Sequence, residues 1–260
     1  MPPKADDFVV NFPTLWIVPD WIEAHCIVPD GFGFIRRDPF EMYDWQLWNT
    51  ANHYRVKRTA KVGQLAPAFH NRRSQIIAPQ KIGKGPWSAT ICAAEAVGPV
   101  LFNGWALGGE VYDCREHGCG CGWTYEYAPG EPMGQPWPTP LIQITATSED
   151  QTDNVYRPLQ NMIRGGPLGD LLKVREGFIR GPNNGRIDVV TANAQSRLGN
   201  PVTFCLQDET GIWFTTNGMH RVARTQRRGA AGMGGRTMET TNAPNPAEES
   251  VAQTTMDSKP

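Results

Sequence analysis

Two short runs carry residue types suited to a triphosphate. The first is Ala78-Pro79-Gln80-Lys81-Ile82-Gly83-Lys84-Gly85. It lies between an apolar stretch, Ser74 to Ala78, and a helix-forming stretch, Pro86 to Val97. A phosphate-binding loop reads G-x-x-x-x-G-K-[ST] in that setting. Gly83-Lys84 fits, Ala78 replaces the first glycine, and Gly85 replaces the hydroxyl residue. Consecutive backbone N–H groups ahead of a helix favour anionic oxygens. Lys84 would place its charge on the terminal phosphates, with Lys81 beside it, but the hydroxyl that normally binds Mg2+ is missing. A tight basic turn accounts for Gly-Lys equally well.

The second run, Val202 to Glu209 (VTFCLQDE), reads as a buried strand ending in two carboxylates. Unpaired charge at such a place is costly. In nucleotide hydrolysis, Asp208 would hold the Mg2+ shell and Glu209 would orient and deprotonate the attacking water. A solvated acidic turn is the alternative for this run alone; together the two runs favour a nucleotide. Thr241-Asn242 follows the last expected strand, either as a γ-phosphate sensor or as an ordinary turn.

Two further groups stand apart. Cys114, His117, Cys119 and Cys121 put four soft ligands in one short glycine-rich window, as a Zn2+ site would need, though the spacing departs from the usual knuckle pairs. Free thiols in an irregular insertion are the other reading. Arg221, Arg224, Arg227, Arg228 and Arg236 fall in an acid-free stretch, Met219 to Met238, and could neutralise DNA phosphates without reading sequence. Arg55, Lys57, Arg58 and Lys61 form a second cluster. A solvated basic face accounts for either.

The elements that must position these residues alternate. Strands are expected at Ser74–Ala78, Leu141–Thr147, Arg186–Thr191, Val202–Leu206 and Thr237–Thr241. Helices are expected at Asp44–Ala60, N-capped by Asp44, and at Pro86–Val97, Ser148–Ile163 and Asn217–Arg228. That rhythm predicts an α/β fold with a mostly parallel sheet covered on both faces, its chemistry at the carboxyl ends of the strands. Residues 1–43 read as an extended aromatic and proline-rich lead, 104–139 as an irregular insertion, and 243–260 as a polar tail that frays. With 40% apolar residues in a chain of 260, a packed core is expected and wholesale disorder is not. A net charge of −1 excludes a uniformly basic nucleic-acid coat. No stretch reaches the roughly 18–20 apolar residues of a membrane span, and residues 1–10 lack a signal-peptide layout, so a soluble, intracellular protein is expected.

Four segments together resemble the ATPase half of the large terminase subunit of tailed double-stranded DNA phages, the actinobacterial phage and prophage version in particular. They are APQKIGKGPWSA (78–89), PLIQITATSEDQTDNVYRPL (140–159), VTFCLQDETGIW (202–213) and GGRTMETTNAPNPAEESVAQ (234–253). The resemblance implies a RecA-like P-loop NTPase domain over 44–242 that binds ATP and Mg2+ and drives duplex DNA into a prohead. Lys84 matches the phosphate-loop lysine, Asp208 the metal-shell acid, Glu209 the catalytic base, and Thr241 and Asn242 the coupling motif. Gln46 resembles the adenine-reading glutamine upstream of such loops, with an exposed helix glutamine as the alternative. Arg197 sits where related terminases carry an arginine that reaches a neighbour's nucleotide; a surface ion pair is the other reading. Portal protein, small terminase subunit and a homo-oligomeric ring are the implied partners, in the host cytoplasm. The matching nuclease half does not follow the coupling motif, so no DNA cutting is expected of this chain. A truncated assembly module that binds nucleotide or DNA without hydrolysis is the competing reading.

Overall fold

The computed structural model describes residues 11–191 and 199–258. Three helices come first: α1 (Ile17–His25), α2 (Gly31–Arg36) and α3 (Asp44–His53). Strand β1 (Arg73–Ile77) leads into α4 (Lys84–Val97). Short strands β2 (Leu101–Trp105), β3 (Val111–Asp113), β4 (Thr124–Glu126) and β5 (Pro132–Gln135) follow. Then come β6 (Leu141–Thr145), α5 (Glu149–Gly165), β7 (Lys173–Arg175), β8 (Phe178–Arg180), β9 (Arg186–Val190), β10 (Phe204–Asp208), α6 (Met219–Gly232), β11 (Arg236–Thr241) and α7 (Val251–Asp257).

The main sheet has the order β1-β11-β10-β6-β9-β8-β7. The first five of these strands run parallel; β8 and β7 add antiparallel at one edge. The last strand in the chain is therefore inserted between the first and β10. Side chains alternate across the sheet. Ile76, Met238, Leu206 and Ile144 belong to the large core that includes Trp87 and Ile91 of α4. On the other face, Gln75, Glu239, Gln207 and Thr145 share one register row. Gln226 and Arg227 of α6 cover that row: Gln226 bonds Gln207 and Thr145, and Arg227 bonds Gln207 and Glu239. Helix α4 is buried on nearly all sides, the condition of a helix held between sheet and other helices.

Three expectations are corrected. The described residues 11–43 are not wholly extended: Ile17, Val18, Trp21 and Ile22 form the buried side of α1, Phe40 joins the core beyond that helix, and Phe32 is exposed. The 104–139 segment contains ordered antiparallel pairs, β2 with β5 and β3 with β4. The tail does not simply fray after 243. Ser250 accepts the Gln253 N–H to cap α7, and Val251 packs in a second apolar cluster with Trp213, Met219 and Val222. Its two buried apolar residues, Val251 and Ala252, are adjacent and show no period.

A charged cluster fixes the helices to the sheet. Arg236 donates to Glu95 of α4 at 2.9 Å and to the His53 carbonyl at 2.8 Å, and stacks over Tyr54 and Phe69. Tyr54 Oη donates to the same Glu95 oxygen. His53 is fully buried beside them, its Nδ1 2.7 Å from Ser74 Oγ. Burial, then the Arg236 charge, lower the His53 pKa to about 4. The unfolded chain therefore binds a proton that the folded chain refuses between the ordinary histidine pKa and 4. Stability present at pH 7 is lost as pH falls through that window, by roughly 3 kcal/mol. His53→Asn, neutral throughout, should flatten this part of the thermal-unfolding profile; equal acid loss in both proteins would assign the loss to other groups.

Candidate functional site

The loop after β1, the start of α4 and the carboxyl end of β10 meet at one cleft of about 320 Å³. Gln80, Lys81, Gly83, Lys84, Gly85, Asp208 and Glu209 line it, with Asn154 of α5 opposite. The two runs, far apart in the sequence, thus meet at one cleft. The loop from β1 to α4 turns through Lys81 at φ 63° and Gly83 at φ 90°. At Gly83 the left-handed backbone favours the residue without a Cβ. Helix α4 starts at Lys84, two residues earlier than expected, because Pro86 falls in the first turn, where its missing N–H costs nothing. The unpaired N–H groups of that turn and its dipole make this end of α4 suited to an anion.

Lys84 is buried, and its Nζ donates to the carbonyls of Ala78 (2.6 Å) and Pro79 (2.8 Å) and to Asn242 Oδ1 (2.8 Å). Asn242 Nδ2 donates onward to Glu209 Oε2 at 3.1 Å. Asp208 Oδ1 accepts from Thr240 Oγ1 at 2.6 Å. Burial is the main reason that the Asp208 carboxyl is pushed up to about 6; Glu209 adds to the rise, while the Thr240 bond and Lys84 oppose it. Glu209 has φ 54°, a left-handed conformation that crowds Cβ against the carbonyl oxygen and costs on the order of 1–2 kcal/mol. Thr241 turns its hydroxyl to the Gly211 N–H at 2.9 Å, which ties the end of β11 to the loop after Glu209.

Gln46 is brought to the loop but is not an exposed helix residue. It is buried; Oε1 accepts the Tyr43 N–H, and Nε2 lies 3.4 Å from the Gly83 carbonyl. Tyr43, rather than Asp44, occupies the cap position of α3. The ring of Tyr43 is exposed beside Gly83, a neighbour that the sequence pattern did not mark. Asn154 was missed too, since an exposed helix asparagine carries no motif. Arg197 lies outside the described residues.

The arginine patch is only partly exposed. Arg221, Arg224 and Arg228 face solvent from α6. Arg227 points inward to pair with Glu239 at 2.6 Å, and Arg236 is taken by Glu95; both are withdrawn from the expected DNA surface by buried counter-charges. In the second cluster, Lys57 bonds the Pro67 carbonyl and Arg55 lies over the Phe12 ring, leaving Arg58 and Lys61 exposed. In the cysteine window, Cys114, Cys119 and Cys121 converge but His117 does not. The 3-10 turn Cys114–His117 and left-handed Gly118 carry its ring onto Tyr112, with centroids 4.6 Å apart. The imidazole that meets the thiols is His25.

The missing hydroxyl at residue 85 has a steric cause. A Cβ built on Gly85 would lie 2.4 Å from the Asn154 backbone carbonyl. Helix α5 has moved into the space a serine would need. Gly85→Ser should therefore lower stability by about 1–3 kcal/mol and weaken, not restore, nucleotide binding. Thermal denaturation and titration with a fluorescent ATP analogue check both, and a variant as stable as the parent would contradict the close α4–α5 approach.

No family model matches the sequence. The chain is 30% identical over 182 residues to the Gene 13 protein of Mycobacterium phage L5, which is 67% of this chain and 27% of that protein. It is 29% identical over 178 residues to the Gene 13 protein of Mycobacterium phage D29, 66% of this chain and 26% of that one. The chain thus spans about a quarter of the length of the curated relatives it matches. Among solved structures it is similar to the HK97 bacteriophage large terminase, with a TM-score of 0.59 and 17% identity over 89% of this chain and 38% of that one. At that identity the likeness is one of fold, the RecA-like α/β fold with a mostly parallel sheet. Among the described residues, no helix is long and apolar enough to cross a membrane.

Proposed function

We propose that this chain is the ATP-hydrolysing motor domain of a phage large terminase and drives duplex DNA into a prohead. The observation that carries the reading is the hydrogen-bonded line from Lys84 through Asn242 to Glu209, beside a buried Asp208, in a single cleft. A bare acidic turn or basic turn needs neither that junction nor the strained Glu209.

The residues fit a Mg2+-triphosphate. Mg2+ keeps most of its waters and needs only one or two carboxylates, so Asp208, oriented by the Thr240 hydroxyl, suffices without a hydroxyl at 85. When bound, Mg2+ neutralises charge on the β- and γ-phosphates. The backbone of residues 79–85 and the first turn of α4 hold phosphate oxygens. Tyr43 offers its exposed face to the base, and Gln46, bonded at both ends to the chain, buttresses the loop or donates its remaining N–H to the base. Glu209 accepts the proton of the attacking water.

Lys84 already has an acceptor for each of its three protons. Phosphate must therefore displace at least one of them, and Asn242 is the one on a different strand. Its release frees the Asn242 amide to change what it offers Glu209, so occupancy of the cleft is passed to the end of β11. Thr241 couples the same strand end to the loop after Glu209. Arg221, Arg224 and Arg228 provide the DNA-facing cations; Arg197 is the candidate for an arginine acting on a neighbouring copy's nucleotide. A homo-oligomeric ring, a portal protein and a small terminase subunit are the partners of this reading.

Gly85 favours a second reading, an assembly module that binds nucleotide without turning it over. The measurement that separates them is phosphate release with DNA and portal present. Lys84→Ala should abolish nucleotide binding and turnover. Glu209→Gln should keep binding and reduce turnover at least ~100-fold, as loss of a general base does. Turnover unchanged in both variants removes the motor; binding without turnover in the parent chain selects the module.

A further inference from the structure

We propose that His25, Cys114, Cys119 and Cys121 form a Cys3His zinc site that fastens the β3–β4 hairpin to helix α1. The inference is independent of the nucleotide reading.

One ligand atom from each residue lies within 4.8 Å of every other. A tetrahedral zinc with Zn–S near 2.3 Å and Zn–N near 2.0 Å spaces sulfur from sulfur by roughly 3.8 Å and sulfur from nitrogen by roughly 3.5 Å. Cys121 Sγ is 3.3 Å from both Cys114 Sγ and His25 Nε2. All three thiols are free, and a disulfide would need its sulfurs near 2.05 Å. The set is thus gathered to the size of a metal and not to that of a covalent bridge.

The histidine is prepared for the role. Its Nδ1 lies 2.8 Å from the Trp21 carbonyl, an acceptor only, so Nδ1 carries the proton and Nε2 presents its lone pair to the thiols. Metal-ligating imidazoles characteristically spend their second nitrogen this way. The ring is stacked on Trp21 at 4.5 Å and meets the edge of Trp123 at 5.4 Å, which fixes its plane. The thiol side is shaped likewise. Gly118 and Gly122 take φ 86° and 76° and bend the chain on both flanks of Cys119 and Cys121. The Trp123 N–H points to Cys121 Sγ, a donor that stabilises a thiolate.

The fold gives the site a task. Strands β3 and β4 have three residues each, too short to hold a hairpin alone in water. A structural zinc contributes its binding free energy to folding, and this one would join the hairpin to a helix that packs on α4.

The chain expressed in zinc-supplemented medium and purified without chelator should contain one zinc per chain by elemental analysis. Cys119→Ser and His25→Ala should lose it, whereas His117→Ala should keep it, which separates this ligand set from the contiguous one. As a readout that does not depend on the folding of buried-site variants, the wild type is also stripped with chelator and reloaded with Co2+. A tetrahedral cobalt-thiolate spectrum, bleached by one equivalent of Zn2+, is expected, and zinc should protect Cys121, the exposed thiol, from alkylation. Absence of stoichiometric zinc together with an octahedral or missing cobalt spectrum overturns the site. So does zinc that survives in the folded Cys121→Ser and Cys119→Ser variants, or that is lost on His117→Ala.

Discussion

A lysine ammonium held out of water with only neutral oxygens for partners is the constraint around which this end of the molecule is arranged. Lys84 Nζ bonds two carbonyls of its own loop and one carboxamide from β11. Such partners satisfy its protons but not its charge. A buried charge left uncompensated is expensive, and the remedy nearest to hand is an anion at the first turn of α4. On the opposite wall the situation is inverted: Asp208 is a carboxyl whose pKa has risen chiefly through burial, a cost that the Lys84 charge offsets only in part. One wall wants an anion and the other a cation. A metal-bound polyphosphate supplies both at once, which is why the pair of imperfections is better read as a site than as two separate faults of packing.

The strands and the two helices that carry the chemistry were legible because they are buried on both sides or amphipathic, and their runs of residue types say so. The Lys84 loop and the acid pair were legible as chemistry, since a Gly-Lys turn and adjacent acids have few uses together. Their relation was not. That β11 enters between β1 and β10, and so puts Asn242 in contact with both Lys84 and Glu209, is a matter of sheet order, and residues that follow a strand at one end of the chain carry no mark of which strands it will join. The same limit explains Arg227 and Arg236. As sequence they are two more cations in a basic stretch; only the partner acids, Glu239 on the same sheet face and Glu95 on α4, reveal that they are structural. His25 is the extreme case, standing 96 residues from the thiol it meets, while His117, adjacent in sequence, is turned away by a single left-handed glycine.

The two faces of the sheet divide the work. On the α4 face the strands carry the apolar core between Arg236 and Ser74 at its start and Asp208 and Thr240, in register, near its carboxyl end. On the α6 face, one residue earlier, lies the polar row of Gln75, Glu239, Gln207 and Thr145. Such a row is satisfied only if the covering helix brings matching groups, and α6 does so through Gln226 and Arg227. The requirement fixes the rotation of α6. With 226 and 227 committed to the sheet, positions 221, 224 and 228 are left on the solvent side, so the exposed arginines are where they are because of the buried amides beneath them. Apolar packing alone would have tolerated a helix that rolls.

Helix α4 connects these arrangements to the rest of the chain. Its first residue is Lys84, its middle carries Trp87 and Ile91 into the core, and near its end Glu95 takes the Arg236 guanidinium. Because it is buried nearly all round, its position is set by every layer that touches it, α1 and α5 included. The α5 contact has already left its trace at the site, where the Asn154 carbonyl occupies the space of a side chain at 85. The α1 contact is subtler. That helix is only nine residues long, below the length at which a helix is stable by itself, so its hold on α4 is only as firm as its own anchors. It buries Ile17, Val18, Trp21 and Ile22; its last residue is His25. A zinc there, as proposed, would tie the end of α1 to the β3–β4 hairpin, and α1 packs on the helix whose first residue is the lysine.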